Sequence, residues 1–435
     1  MPKIKEIDKE FEEIMQELPA EIKEMAEEFG AIIRKRKISN PIELLRAVLL
    51  YSGLDKSLRE VAGNLSLTIE QISDTAVAKR LCACQEWIKK ILPKMLEKNK
   101  ITVEGKRRLI VVDGSQISVE GSGGKEFFRV HISMNLVTLE FIEIKVMDCH
   151  KAESLDNYEF LATDVVIADA GYCHPKAMIK QVEKGVEVVI RASAANLAIY
   201  DKEGEKINLI EKLAKQKEES IEVIEVKIIP SRSKGKEIKG NLIAFGLKEE
   251  VANIARRKAK RKSKKAGRKP KSSNLFMKGW VLIFSTLPIE EFHPKLLLEL
   301  YRLRWQIEIS IKRWKSLLNL GDLPTRMNSK LSYVWLYGKL LWALILEKRS
   351  RKHFGSSFTH LDKVRSGTWW RFFSFTFDEL SPLITGAKFF SLLDFSKIFT
   401  SLLERPRFRN LQALSSELFV AFFSSPSLGS FSLAA

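Results

Sequence analysis

The segment YRLRWQIEISIKRWKSLLNL, residues 301–320, constrains the fold most, because its pattern predicts one continuous helix with two different faces. Tyr301, Arg304, Glu308 and Lys315 have the spacing Y-x2-R-x3-E-x6-K, which places them within about 60° of one another around a helix axis. Lys312 joins that face. The adjacent face is an apolar stripe suited to packing on a core: Leu303, Ile307, Ile311, Trp314 and Leu318. The sequence therefore predicts one carboxylate held among cations beside a buried seam.

The charge balance points to an anionic partner. The chain has 73 Lys and Arg against 54 Asp and Glu, a net charge of +19 and a pI near 9.6, which is typical of proteins that bind nucleic acid or an anionic membrane. The most apolar stretch, residues 331–348, contains Lys339 and Glu347, so we expect a buried helix and no membrane partner. A charged N-terminus and only four cysteines favour the cytoplasm, in association with the nucleoid.

Residues 1–100 are predicted to form an all-helical, DNA-binding domain. Asn40 followed by Pro41 is a typical helix start, because asparagine caps the first turn and proline lacks the N–H that the first turn leaves unpaired. Two further helical stretches flank a break at residues 66–68, and the second would expose Lys79 and Arg80. This pattern suits a helix-turn-helix-like module. A plain helical bundle is the alternative, since the break has no clear glycine.

Residues 107–170 have the pattern of β structure. An apolar strand runs into Asp113, and residues 127–148 alternate like a hairpin with one apolar face: Phe128, Val130, Ile132, Met134 and Leu136. The run DVVIADAGY is typical of a buried parallel strand that ends at Asp169, with Gly171 allowing a sharp exit. If the two strands are neighbours, both aspartates emerge at one edge of the sheet, where a packed helix would bring Glu308.

Three converging carboxylates would repel one another unless cations bind between them. Hard oxygen ligands suit Mg²⁺, and Mn²⁺ would substitute for it. Two such ions about 4 Å apart activate a water or a 3′-hydroxyl and stabilise the leaving oxygen in an in-line displacement. The sequence thus predicts a site for two Mg²⁺ ions at Asp113, Asp169 and Glu308.

The rest of the chain divides by composition. Residues 176–285 mix strand-like runs with loops and are predicted to form a β-rich insertion. Within it, residues 255–271 contain eleven cations and no acid, which predicts a disordered segment that contacts nucleic acid or serves as a solvated linker. Residues 351–435 are rich in phenylalanine and are predicted to be helical, as core or as a self-association face.

The motifs VVDGS around Asp113, VVIADAGY around Asp169 and the helix with the Y-x2-R-x3-E-x6-K spacing resemble those of the DDE transposases of bacterial insertion sequences. The similarity is greatest to the insertion-sequence-4-like branch that this Y-R-E-K signature defines, and it covers residues 30 to 350. It implies an α/β fold: an RNase H-like catalytic core, a mixed sheet flanked by helices, at residues 101–175 and 286–350. The β-rich insertion, residues 176–285, would interrupt this core. A helical N-terminal domain would precede the core, and a helical C-terminal region, a candidate for dimerisation, would follow it.

The resemblance also implies roles for individual residues. Asp113, Asp169 and Glu308 would be the metal-binding catalytic triad. The DNA contacts would come from Tyr301, Arg304, Lys312, Lys315, Trp280, Arg129 and His131. Trp280 would stack on a flipped base, although an ordinary strand-edge aromatic has the same pattern. Arg129 and His131 are equally explained as a strand pair. Relatives often have arginine after the second aspartate, where this chain has Ala170.

The implied function is cut-and-paste transposition: metal-dependent cleavage at transposon ends, a hairpin intermediate, and strand transfer into target DNA. The partners would be double-stranded DNA, both terminal inverted repeats and target, and a second copy of the chain in a synaptic complex. One alternative is another RNase H-like nuclease, such as a resolvase, which would not need the long insertion. A second is an inactive DNA-binding regulator, against which the intact triad argues.

Two Cys-His pairs, Cys149-His150 and Cys173-His174, raise the alternative of a zinc site. Adjacent residues on a strand point to opposite faces, so we expect neither pair to supply two ligands to one ion.

Overall fold

A ten-stranded mixed β-sheet forms the centre of the molecule. The computed structural model describes residues 11–33, 37–66, 68–100, 107–119, 126–192, 197–230, 236–324, 329–354 and 366–385. The strands are β1 Arg108–Val119, β2 Glu126–Asn135, β3 Phe141–Asp148, β4 Asp164–Ala168, β5 Glu187–Arg191, β6 Ile199–Tyr200, β7 Ile221–Ile228, β8 Ile238–Gly246, β9 Trp280–Ser285 and β10 Asp322–Leu323. Their order is β3-β2-β1-β4-β5-β9-β8-β7-β6, and β10 pairs with β1.

The first half of the sheet contains the predicted hairpin, β2–β3, and it places β1 beside β4, the arrangement on which the predicted site depends. β1, β2 and β3 form an antiparallel meander, and β4 lies parallel to both β1 and β5. All five residues of β4 are buried, as expected for a strand covered on both faces. The apolar face predicted for the hairpin is buried as well, from Phe128 to Leu136.

The second half continues the same sheet. β5 pairs antiparallel with β9, and β9, β8 and β7 follow as antiparallel neighbours. The strand-like runs of residues 176–285, β5 among them, are therefore strands, and they extend the central sheet outward from β4. Two hydrophobic clusters line the sheet, and β1 contributes to both: Val111 and Ile117 to one, Ile110 and Val112 to the other.

Helices cover the sheet and build the N-terminal region. They are α1 Ile22–Glu28, α2 Pro41–Val48, α3 Leu58–Leu65, α4 Asp74–Ala83, α5 Gln85–Leu96, α6 Pro175–Val182, α7 Leu209–Leu213, α8 Glu249–Lys265, α9 Ser272–Met277, α10 Pro294–Leu303, α11 Trp305–Leu317, α12 Lys330–Phe354 and α13 Ser366–Thr385. The start of α2 is as predicted: the Asn40 side chain accepts a hydrogen bond from the Ile42 N–H, and Pro41 occupies the first turn. A π-helical turn, Leu49–Gly53, extends α2.

The helix-turn-helix expectation is not met by α3 and α4. Eight residues, 66–73, separate the two helices, whereas a helix-turn-helix motif uses a turn of about 3–4 residues. Arg80 is also not free on the surface, because its guanidinium donates to the carbonyl of Ile38. The plain helical bundle is the better description of this region.

Helix α12 joins the N-terminal bundle to the rest of the molecule. The amine of Lys339 is fully buried and lies 2.6 Å from the carboxylate of Asp55, which also accepts a hydrogen bond from the Trp335 indole at 3.0 Å. Gly338 packs so closely on Ser52 that any side chain there would overlap the hydroxyl. The predicted buried helix is therefore confirmed. Within the described residues, no helix is both long and apolar enough to cross a membrane.

The basic segment 255–271 is not the disordered segment that its charge predicts, because most of it lies in α8. Two glutamates in the first turn and three lysines in the last turn complement the helix dipole. The helix is attached to the molecule by the buried Ala252 and by the Arg256 guanidinium, which donates to the Leu275 carbonyl of α9 at 3.3 Å. The predicted C-terminal helix exists as α13, and residues 386–435 lie outside the described part of the chain.

Candidate active site

The sheet places Asp113 and Asp169 side by side. The parallel pairing of β1 with β4 ends at Val111 opposite Ile167, and each aspartate lies two residues beyond that pair. Asp169 follows the last residue of β4, as predicted. Asp113 does not end its strand: β1 continues to Val119 because β2 and β10 still pair with it there. The two carboxylates thus emerge together where β4 stops and β1 runs on.

The predicted single helix of residues 301–320 is two helices that meet at Arg304. Helix α10 ends at Leu303, α11 begins at Trp305, and Arg304 is the cap of both. The apolar stripe is nevertheless continuous across the break, since all five of its residues are buried: Leu303, Ile307, Ile311, Trp314 and Leu318. Packing of this stripe sets the position of the polar face over β1.

The polar face of these helices reaches both aspartates. The Tyr301 hydroxyl donates to Asp169 Oδ1 at 2.9 Å. The Arg304 guanidinium forms an ion pair with the Glu308 carboxylate and lies 5.6 Å from the centre of the Tyr301 ring. Arg304 also acts electrostatically on Asp113 and Asp169. One cation therefore interacts with all three predicted catalytic carboxylates.

The two aspartates have pKa values moved in opposite directions. Burial raises the pKa of Asp113 to about 7, and the negative charges of Glu308 and Glu153 add to the rise. The hydrogen bond from the Gly114 N–H and the positive charge of Arg304 lower the pKa but do not offset the effect of burial. Burial would also raise the pKa of Asp169, but the Ala170 N–H, Arg304 and the Tyr301 hydroxyl together lower it. Near pH 7 Asp169 is ionised, while Asp113 gains or loses a proton readily.

A further carboxylate, that of Glu153, lies at the same edge of the sheet. A side-chain Cβ placed on Gly114 would approach Glu153 Oε1 to 3.1 Å, and one on Gly171 would overlap the other carboxylate oxygen. Each glycine is within two residues of a predicted catalytic aspartate. The φ angle of Gly171 is not positive, so the expected sharp exit does not explain that glycine; space for Glu153 does.

Below this edge, two tyrosines support the backbone of the first aspartate. The Tyr158 hydroxyl donates to the carbonyl of Asp113 at 3.0 Å and lies 3.0 Å from the Tyr172 hydroxyl. Burial raises the pKa of both phenols well above the usual tyrosine value, so they remain neutral. The position of Asp113 is thereby held from the interior.

A groove of about 1650 Å³ opens beside Asp169. Trp280, half-buried at the start of β9, lines it together with Arg191. The opposite wall carries cations from α8 and the following loop: Lys258, Lys262, Arg268, Lys269 and Lys271. A wide basic groove thus leads away from the second aspartate.

The remaining residues predicted to contact DNA have different surroundings. Lys312 is exposed, whereas the Lys315 amine donates to the carbonyl of Gln116 at 3.0 Å. The Arg129 guanidinium donates to the carbonyl of Lys151 at 3.2 Å. His131 is fully buried beneath the ring of Tyr158, and burial lowers its pKa to about 4. Because its ring cannot reach a ligand at the surface, the predicted DNA contact of His131 is wrong.

Cys149 and His150 do not point apart as strand neighbours would, because both residues follow β3 in a turn. Their ligand atoms lie within 4.8 Å of each other and of Asp148. Three consecutive residues are still one ligand short of the tetrahedral set of a structural zinc site. Within the described ranges, this is the one group of three such residues whose ligand atoms all lie within 4.8 Å of one another. The carboxylates of Asp113, Asp169 and Glu308 therefore do not meet that distance.

Sequence reasoning missed two groups at the site. Arg191 ends β5 and acts electrostatically on Asp169, and Glu153 lies between β3 and β4. A glycine soon after each aspartate was the available signal for Glu153, but only the fold identifies what occupies the space.

Comparison with known proteins agrees with this geometry. Residues 104–344 match a family model described as a transposase DDE domain. The chain is 30% identical over 339 residues to the putative transposase InsL for insertion sequence element IS186A of Escherichia coli (strain K12), covering 76% of this chain and 90% of the relative. It is equally similar to the transposase for IS421 of Escherichia coli, over 340 residues and the same shares.

Two more distant similarities complete the comparison. The transposase for IS231E of Bacillus thuringiensis subsp. finitimus is 23% identical over 375 residues, 76% of this chain and 77% of the relative. Among solved structures, the piggyBac transposase synaptic complex with hairpin DNA matches with a TM-score of 0.40 and 11% identity, covering 91% of this chain and 84% of the other. Since the family model spans more than half of the residues, the chain belongs to the DDE transposase family, which is a family of transposition enzymes.

Proposed function

We propose that the protein is a cut-and-paste transposase of the insertion-sequence-4-like branch, with Asp113, Asp169 and Glu308 as its catalytic triad. The single observation that carries the proposal is the meeting of two strand-borne aspartates with the Tyr301–Arg304–Glu308 face at one edge of the sheet. The mixed sheet flanked by helices supports an RNase H-like core at residues 101–175 and 286–350.

The donor set at this edge fits divalent metal. It consists of carboxylate oxygens without thiolate or imidazole, which is the chemistry that Mg²⁺ and Mn²⁺ prefer. The three carboxylates would hold two metal ions, which when bound supply Lewis acidity to the attacking and leaving oxygens. As a metal ligand, Glu308 would have to give up its ion pair with Arg304.

The neighbouring side chains would bind and orient the DNA. The Tyr301 hydroxyl already fixes one oxygen of Asp169, leaving the other available. Once Arg304 is released from Glu308, its guanidinium is free to bind a phosphate at the cleaved end, with Lys315, Lys312 and Arg129 as further contacts. Trp280 would stack on a base displaced into the basic groove, which the cations of α8 make attractive to the phosphate backbone.

The other regions would complete the reaction cycle. The helical bundle of residues 1–100 would recognise the terminal inverted repeats, and the strands and basic helix of residues 176–285 would extend the DNA surface. Residues 351–435 would contribute to a homodimer that brings two transposon ends together. Hydrolysis by water would free a 3′-hydroxyl at the transposon end. This hydroxyl would attack the opposite strand, forming a hairpin and releasing the 3′-hydroxyl of the flanking DNA. A second water would open the hairpin, and the freed 3′-hydroxyl would then attack a target phosphodiester and displace the 3′-hydroxyl of the cut target strand.

The test is strand cleavage on DNA that carries the terminal repeats of the element. We expect cleavage to be lost, with end binding retained, in each of three conservative variants: Asp113→Asn, Asp169→Asn and Glu308→Gln. Glu299→Gln, in α10, is the matched control and should cleave normally. Cleavage by any triad variant would remove that residue from the triad. Specific end binding without metal-dependent cleavage by the unaltered chain would instead support an inactive regulator, and cleavage of branched DNA regardless of sequence would support a resolvase.

A further inference from the structure

The helical bundle is joined to the end of α11 by a hydrogen bond between two residues of uncommon backbone conformation. The Asn319 amide, just after α11, donates to the Asp55 carboxylate of the bundle at 3.3 Å. Both residues have a φ angle of 54°, which is uncommon for residues other than glycine. Within the described residues they are two of four such residues. This joint therefore gives the bundle a defined position against α11.

Helix α12 fixes the same joint from the interior. The fully buried Lys339 amine pairs with the Asp55 carboxylate, and the Trp335 indole donates a hydrogen bond to it. One carboxylate thus connects the bundle to both α11 and α12. Because Lys339 neutralises its charge, Asp55 does not leave an unpaired negative charge beside the surface.

The exposed face of α11 leads from the proposed active site to this joint. Lys312, Ser316 and Asn319 are exposed and follow one another at intervals of four and three residues, so they lie on one side of the helix. Glu308 lies one turn earlier on the same side. At a rise of about 1.5 Å per residue, Asn319 is about 16 Å from Glu308 along the axis. That distance corresponds to about five base pairs of duplex DNA.

Two lysines from other elements lie beyond the joint. Lys330 begins α12 and acts electrostatically on Cys82, and exposed Lys79 lies about one turn before Cys82. Burial raises the pKa of Tyr51 to about 12, and the nearby Cys82 and Asp55 add to the rise. Since Tyr51 is close to both residues, the end of α4, the start of α12 and the joint are neighbours.

The lysines of this region are not neutralised by its acids. Within the described part of the chain, Lys79, Lys312 and Lys330 form no ion pair. The nearby acids are paired with other cations: Asp55 with Lys339, Glu60 with Lys56, Asp74 with Arg59 and Glu308 with Arg304. The three lysines therefore present positive charge to a ligand in solution.

We propose that the junction face, defined by Lys312, Asn319, Lys330 and Lys79, binds the duplex of the transposon end on the transposon side of the cleaved phosphate. This inference rests on the proposed function and names the face of the bundle that meets the DNA. Charge complementarity selects the occupant, because unpaired lysines suit a phosphate backbone. None of the large exposed apolar side chains of the described residues lies on this face, which argues against a protein partner. The joint would keep the lysines of α11 and of the bundle in one register along the duplex.

Binding of the full chain to a terminal-repeat duplex in EDTA, measured by fluorescence anisotropy over a range of salt concentrations, tests this surface. We expect Lys79→Gln and Lys330→Gln each to weaken binding about fivefold at physiological salt. Each should also reduce the slope of log affinity against log salt by about 0.9, because one phosphate contact is lost. Lys23→Gln is the matched control, since Lys23 is exposed on α1, which packs on α2 and α5. It should bind as the unaltered chain does.

Neutral methylphosphonate linkages in the duplex locate the contacts. A linkage about five or more base pairs inside the cleaved end should add no further loss to Lys79→Gln, because both changes delete the same contact. A linkage at the cleaved phosphate should add its full loss. Unchanged binding by Lys79→Gln and Lys330→Gln, or additive losses at every linkage, would overturn this inference. The expected losses in a chain that cleaves no DNA with Mg²⁺ or Mn²⁺ would instead overturn the proposed function and leave the DNA surface standing.

Discussion

Asp113 is expected to make the metal-free protein less stable as the pH rises, and Asp113→Asn should remove that effect. Burial holds the pKa of this carboxyl at about 7 in the folded protein, against 3.8 for an ordinary aspartate. Between those two values the folded state keeps a proton that the unfolded chain has lost. The free energy of unfolding therefore falls as pH rises through this window, and the loss is complete above the folded pKa.

The magnitude follows from the width of the window. From pH 5 to pH 8, a pKa of about 7 in the folded state reduces the free energy of unfolding by about 2–3 kcal/mol through Asp113 alone. Asparagine has nearly the same shape and never ionises. The stability of Asp113→Asn relative to the unaltered chain should therefore increase by about the same 2–3 kcal/mol over this range.

Urea unfolding followed by tryptophan fluorescence, in EDTA at pH 5 and pH 8, measures this difference. Asp169→Asn is the matched control. The pKa of Asp169 is lowered, so its charge stabilises the fold throughout this range, and the variant should be less stable by the same amount at both pH values. Added Mg²⁺ should stabilise the unaltered chain more at pH 8 than at pH 5 because protons compete with the metal. A pH-independent difference between Asp113→Asn and the unaltered chain would refute the account of Asp113.

Three further predictions concern DNA. Lys315→Ala should weaken end binding and reduce the slope of log affinity against log salt by about 0.9, because one phosphate contact is lost. Lys312→Ala should have a smaller effect. An unchanged slope in Lys315→Ala would mean that Lys315 does not contact the DNA. Trp280→Ala should slow hairpin formation while Trp280→Phe largely preserves it, as base stacking requires, and equal rates in the two would favour a purely structural tryptophan. Replacing Lys258 and Lys262 by glutamine should weaken binding to all DNA sequences alike, measured by filter binding, and a sequence-dependent loss would contradict a backbone contact.

Much of the fold follows from local patterns in the sequence. Alternation identified the β2–β3 hairpin, an unbroken apolar run identified β4, and the spacing of apolar residues identified the buried stripe from Leu303 to Leu318. These features repeat with the period of a single strand or helix. They can be read without knowing which elements become neighbours.

Other features depend on neighbours and were misjudged or missed. The cations of residues 255–271 indicated disorder, but ends that complement the helix dipole and an anchor at Ala252 make α8 a helix. His131 has a surface residue's chemistry, yet strand alternation and the ring of Tyr158 bury it. The helix break at Arg304 could not be predicted from a proline or glycine, because neither residue occurs there.

The sequence by itself determined which acids, cations and aromatic residues were available to the site and which helices and strands carry them. Both follow from residue identity and from the spacing of apolar residues along the chain. Tertiary structure alone decided which of them meet. The register of β1 with β4 sets the two aspartates level, packing of the apolar stripe turns Tyr301 and Arg304 toward them, and two missing Cβ atoms admit Glu153. Contacts between residues that are distant in sequence depend on the three-dimensional path of the chain, which no local pattern contains.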